Sequence, residues 1–224
     1  MSAATGDRRE RCDIAPVWHT CCVLAMLAMF SVLSAYLRMG SSRPRLRHLL
    51  LYSIAIAFEW AVFAFILWKS NNVFTSYVAR VFQDPRSLLL DIPAAVLLSA
   101  ISILIAPLMV RVLGQAGWVS MEGMRPNNGL EIAAWIVAAI SAGIVEETVF
   151  RGYLQQQFTG WTGHLTVGIL VQSAIFGLAH GYQGWKNMTL VFASCCIFGA
   201  FVRLRKGLRA NMIAHAGVDI LAAF

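Results

Sequence analysis

The chain has 224 residues, of which 58% are apolar and only 13% charged, and 18 Lys and Arg against 11 Asp and Glu give it a net charge of +7. Soluble domains average about 45–50% apolar and about 25% charged residues, and a short globule cannot keep a wettable exterior over so much apolar surface. Disorder, a disulfide scaffold and a soluble enzyme are excluded, and the composition is that of an all-α, polytopic integral membrane protein.

The positive charge does not read as a nucleic-acid surface. Basic residues sit in short clusters between long apolar runs, such as Arg43, Arg45 and Arg47, or Arg203, Arg205 and Lys206. Clusters at membrane ends set topology and touch anionic lipid, so the bilayer is the implied partner and nucleic acid is not. Cys12, the pair Cys21 and Cys22, and the pair Cys195 and Cys196 lack CxxC spacing and read as small apolar membrane residues.

A hydrocarbon core of about 30 Å takes roughly 20 helical residues. The first apolar run, residues 17–37, follows Arg8, Arg9 and Arg11. It is longer than the h-region of a signal peptide and reads as a retained helix. The second, residues 49–68, carries Glu59, and the third, residues 88–110, contains Pro93 and Pro107 as kinks or end markers. A polar break between Arg111 and Gly129 divides an N-terminal region, residues 1–129, from a four-helix core, residues 130–224. The core helices are expected over residues 130–158, 165–180, 188–202 and 208–224. The last three are short for independent spans and should shelter inside a bundle. About seven transmembrane helices result; the count of 11 Lys and Arg on the N-terminal side against 7 on the other favours a cytoplasmic N-terminus, an excess that moving one helix would reverse.

Charge in the apolar runs is the informative feature. The fourth helix holds Glu146, Glu147 and Arg151, and each charge at a membrane centre costs about 2.5–3.5 kcal/mol. Glu147 and Arg151 are four apart and can pair on one face, while Glu146 points about 100° away. The fifth helix ends at His180, and the seventh carries His215 and Asp219, again four apart. If both helices pack on the fourth, Glu146, His180 and His215 surround one water-filled site. Such a site can take a proton from water, or hold a divalent metal such as zinc. An ion-paired cluster that only fixes helix packing is the alternative. Ala138, Ala139, Ala142 and Gly143 on the fourth helix, with Gly199 and Ala200 on the sixth, permit close approach.

These residues resemble the CPBP family of intramembrane proteases (CAAX proteases and bacteriocin-processing enzymes, also called Abi), related to the Ras-converting CAAX prenyl endopeptidases. The family's EExxxR motif matches Glu146, Glu147 and Arg151; FxxxH matches Phe176 and His180; HxxxN/D matches His215 and Asp219. Residues 198–207 look like the stretch before the family's final histidine, and the resemblance covers about residues 130–224. It implies a multi-pass endopeptidase, in the bacterial inner membrane, that cleaves a membrane-anchored or lipidated protein or peptide. By that resemblance Glu146 is general base and His180 orients the water. His215 and Asp219 stabilise the oxyanion or position the carbonyl, while Glu147, Arg151 and Phe176 support the site. Many relatives have Asn where Asp219 stands, and an ionised Asp can only accept, so orienting His215 or ligating metal suits Asp219 better. The resemblance leaves metal dependence open, with Glu146, His180 and His215 as candidate ligands; no HExxH is present. A non-catalytic scaffold or immunity protein, or a proton-coupled transporter, would use the same polar residues differently.

Other polar residues carry quieter expectations. Glu59 makes a packing hydrogen bond or lines the cavity. Trp118, Trp135, Trp161 and Trp185 include interface anchors, and His19, His48 and His164 sit at the interface. Gln172 and Ser173 make helix–helix hydrogen bonds or contact a peptide, and Met26 and Met29 contact core or lipid.

Overall fold

A computed structural model describes residues 14–39, 44–70, 74–75, 78, 81, 88–118 and 124–224. Arg8, Arg9, Arg11, Cys12 and Arg43, with the side chains of Arg45 and Arg47, lie outside the described residues. Among the described residues there is no strand.

The longer helices among the described residues are α1 (Val17–Met39), α2 (Pro44–Lys69), α3 (Leu88–Leu113) and α4 (Gly129–Thr162), then α5 (Leu165–Ala179), α6 (Trp185–Arg205) and α7 (Arg209–Leu221). Five of these, α1 to α4 and α6, are long and apolar enough to cross a membrane. At 21 residues α6 is longer than its apolar run, because Trp185, Lys186 and Asn187 extend the helix with polar side chains. The other two, α5 with 15 residues and α7 with 13, are too short to cross alone and pack inside the bundle. Pro93 and Pro107 both lie within α3. Its outward Leu89, Val96, Leu97, Leu104 and Val112 form an apolar exterior that suits lipid contact.

The organising element is α4. Asn128 caps its start by accepting from the Glu131 backbone N–H at 3.0 Å, and Gly163 closes its end at φ 73°. Immediately after Glu147 the helix widens into a π segment, Thr148–Leu154, in which the Gln155 N–H reaches back to Phe150 O. Such segments often occur at functional sites.

The N-terminal part of α4 packs on α7 and along α2, its C-terminal part packs on α5, and α3 packs on α7. Gly143 permits the first of these contacts: a Cβ there would lie 2.7 Å from Met212 O and 3.0 Å from Ala216 Cβ. Gly143→Val should therefore push α7 off α4. Overpacking costs about 1–3 kcal/mol. The expected result is a folded but less stable protein, measured as a lowered midpoint of thermal unfolding in detergent.

The histidines at the helix starts depart from the interfacial expectation. His19 is fully buried, with Nε2 3.1 Å from Phe65 O and Nδ1 2.7 Å from the Tyr153 hydroxyl. A carbonyl only accepts, so Nε2 carries the proton and Nδ1 accepts from Tyr153; Thr20 Oγ1 lies 3.0 Å from the same hydroxyl. Nearby, Gln157 Oε1 accepts from the Ile14 and Ala15 N–H groups at 2.9 and 3.1 Å, and its Nε2 donates to Ala15 O at 2.6 Å. His48 is likewise buried and meets Glu131 at 3.0 Å. His164 does stand at a helix end, before α5.

Trp135 Nε1 donates to Asp219 O at 2.8 Å, tying α4 to the end of α7. Trp118 and Trp185 flank the Lys186 ammonium, which donates to the carbonyls of Leu113, Gly114 and Ala116 and so caps α3. Asp91 on α3 pairs with Arg205 at 2.8 Å and Arg209 at 3.0 Å, fixing the turn between α6 and α7. Gln172, Ser173 and Cys195 are joined in a buried hydrogen-bonded chain between α5 and α6, and Cys195 and Cys196 are free thiols. Met26 packs on the core while Met29 faces outward.

Candidate active site

Three elements deliver the polar cluster. Glu146 and Glu147 end the regular part of α4, Arg151 lies in the π segment, and α7 presents Asn211, His215 and Asp219 at intervals of four. Spacing alone anticipates the Glu147–Arg151 pair, which is 3.0 Å apart and buried.

Glu147 is saturated. One oxygen, Oε1, meets Arg151 Nη1 at 3.0 Å and His215 Nδ1 at 2.8 Å, and Oε2 receives the Asn211 amide at 3.4 Å. A carboxylate acts only as acceptor, so His215 Nδ1 carries a proton here. Arg151 Nη2 donates to Cys195 Sγ at 3.1 Å. Its carbon lies 5.1 Å from the Phe176 ring centre and 5.2 Å from that of Phe198. Arg151 Nε and Nη1 have no well-aligned hydrogen bond, so proximity to Glu147 and two π faces hold the guanidinium.

Exposure then rises in steps across the cluster. The side chains of Glu147 and Arg151 are 0% and 2% exposed, His215 14%, Glu146 24% and Asp219 38%. The buried end is a closed ionic frame, and the reachable end holds two carboxyl groups facing one imidazole. His215 Nε2 lies 3.6 Å from Glu146 Oε2 and 3.5 Å from Asp219 Oδ2, beyond direct hydrogen bonds. Glu146 thus has no Lys or Arg in contact, unlike its neighbour.

His180 is brought to the same region less directly. Its Nδ1 donates to Phe176 O at 2.9 Å, which leaves Nε2 free to accept. The Phe176 ring lies 4.6 Å from the His180 ring and 6.2 Å from that of His215, and the two histidines are in electrostatic range. No direct bond between His180 and Glu146 occurs among the described residues.

Glu59 and Asn211 extend the set. Glu59 accepts the Ser141 hydroxyl at 2.6 Å. Asn211 went unrecognised in the sequence, although residues 211, 215 and 219 form one helical stripe that would have signalled it. Among the described residues no group of three or more His, Cys, Asp or Glu could hold a metal ion. This lends no support to the finer description metalloprotease.

Residues 128–221 match the family model Rce1-like, described as type II CAAX prenyl endopeptidase Rce1-like. This segment is similar to the Rce1-like family. The Rce1-like segment contains every motif residue from Glu146 to Asp219, whereas Glu59 and the helices α1 to α3 lie before it. No curated protein and no solved structure matches the chain. Membrane-crossing helices together with an Rce1-like segment give the coarse function: a protease of the membrane.

Proposed function

We propose that the chain hydrolyses a peptide bond in a membrane-anchored or lipidated protein or peptide, with residues 130–224 as its catalytic core and Glu146 as general base. The observation that carries this is the division of labour between adjacent acids. Glu147 is sealed in by Arg151, His215 and Asn211, while Glu146 is partly exposed and free of a contacting Lys or Arg.

In this mechanism Glu146 takes a proton from water as the water oxygen bonds to the scissile carbonyl carbon. That proton passes to the leaving nitrogen as the C–N bond breaks. His180, with Nδ1 committed to Phe176 O, offers Nε2 to orient the water. His215 is held by Glu147 at Nδ1 and, when doubly protonated, donates from Nε2 to the oxyanion. Asp219 can only accept, so it aims His215 rather than donating to substrate.

The test is hydrolysis by the purified chain in liposomes, using an internally quenched farnesylated CAAX peptide and a membrane-tethered reporter without a prenyl group. Cleavage of either by the wild type and by no Glu146→Gln preparation supports the proposal. Binding without cleavage returns the chain to the scaffold reading. The proposed route calls on no metal ion, so preincubation with EDTA or 1,10-phenanthroline should leave the rate within about twofold. Loss of activity that zinc restores would overturn the metal-free route.

A further inference from the structure

Glu59 belongs to α2, outside the Rce1-like segment, yet it is held against the site. Both α2 and α7 pack along α4. From α4 the buried Ser141 donates its hydroxyl to Glu59 Oε2 at 2.6 Å, which pins the Glu59 carboxyl to the helix that carries Glu146. At that position Glu59 interacts electrostatically with Glu146, His215 and Asp219. No Lys or Arg pairs with it among the described residues.

A hydrogen bond to one hydroxyl does not explain an acid here. Glutamine would accept from Ser141 equally well without the cost of an ionisable group in the membrane, and intramembrane acids mark proton paths. We propose that Glu59 is the second base of the site and takes up the proton of the newly formed carboxylic acid. This rests on the hydrolytic function proposed above.

The atoms balance as follows. Water gives its oxygen and one proton to the reaction by way of Glu146, and that proton ends on the new amine. The other proton of water remains on the new carboxylic acid, and Glu59 receives it. The product becomes a carboxylate, which the carboxyl groups of Glu146 and Asp219 repel from the site. Glu59 then returns its proton to bulk water. Glu59 thus acts after C–N cleavage, in clearing the site.

The experiment compares a single turnover with the steady state in liposomes, using whichever of the two reporters the wild type cleaves. Glu59→Gln should perform its first cleavage at the wild-type rate and then turn over about tenfold more slowly, giving a burst, with KM falling alongside kcat so that kcat/KM is unchanged. Ser141→Ala, which keeps the acid, should stay within about threefold of wild type. Unaltered steady-state turnover in Glu59→Gln would reduce Glu59 to packing. A parallel fall in both phases would place it in the bond-breaking step and equally overturn the proposal. If Glu59→Gln does not fold, Glu59→Asp replaces it, with a normal first turnover and an intermediate steady state expected; an unchanged steady state there counts against the proposal. The Glu146→Gln control separates the two claims, because a full first turnover in that variant would remove the hydrolytic mechanism itself.

Discussion

Glu146→Gln should abolish turnover, by at least about 10³-fold, while leaving the protein folded and inserted. General bases contribute about 10²–10⁴-fold, and Gln has nearly the same shape without the ability to take a proton from water. The fold should tolerate the change because Glu146 has no Lys or Arg to orphan, and its nearest cationic candidate, His215 Nε2, stands 3.6 Å away. The measurement is reporter cleavage per mole of protein, with melting temperature and detergent elution as folding controls. Near-wild-type activity would remove Glu146 from the chemistry and return the cluster to a packing role. The adjacent acid should behave differently: its three partners mean that changing Glu147 disturbs structure as well as rate.

Arg151→Ala should produce the largest loss of stability. Its side chain is 2% exposed and its partner Glu147 is 0% exposed. Removing one member of a buried ion pair costs about 3–5 kcal/mol, because the remaining charge is left without compensation. The void between Phe176 and Phe198 adds to that cost. The expected outcome is poor recovery from the membrane, a melting temperature many degrees lower and negligible cleavage. Arg151→Lys should rescue only part of this, since an ammonium cannot fill the planar slot between two rings. A wild-type melting curve for Arg151→Ala would show that the frame is dispensable.

Much of the architecture was legible because apolar length dictates span length, and α1 to α4 coincide with the long apolar runs. The shortness of α5 and α7 was equally visible. Polar residues at the start of α6 obscured its true length, since nothing in Lys186 or Asn187 announces a helix that carries on past the apolar stretch. Within the site, four-residue spacing foretold the Glu147–Arg151 and His215–Asp219 pairs. It did not foretell the widening of α4 into a π segment between Glu147 and Gln155. The histidines failed for a different reason. Whether His19 faces lipid headgroups or the interior depends on Tyr153, 134 residues further along, and no local pattern encodes that meeting.

That meeting bears on how the molecule can be cut. Gln157 and Tyr153 belong to the Rce1-like stretch, yet their polar atoms are satisfied by Ile14, Ala15, His19 and Thr20. A fragment trimmed to the recognisable motifs would leave those groups without these partners, right beside the turn that carries Arg151. The smallest autonomous protease is therefore larger than its signature, and transplanting the motif-bearing half onto a foreign anchor would leave behind part of what keeps its charges in register.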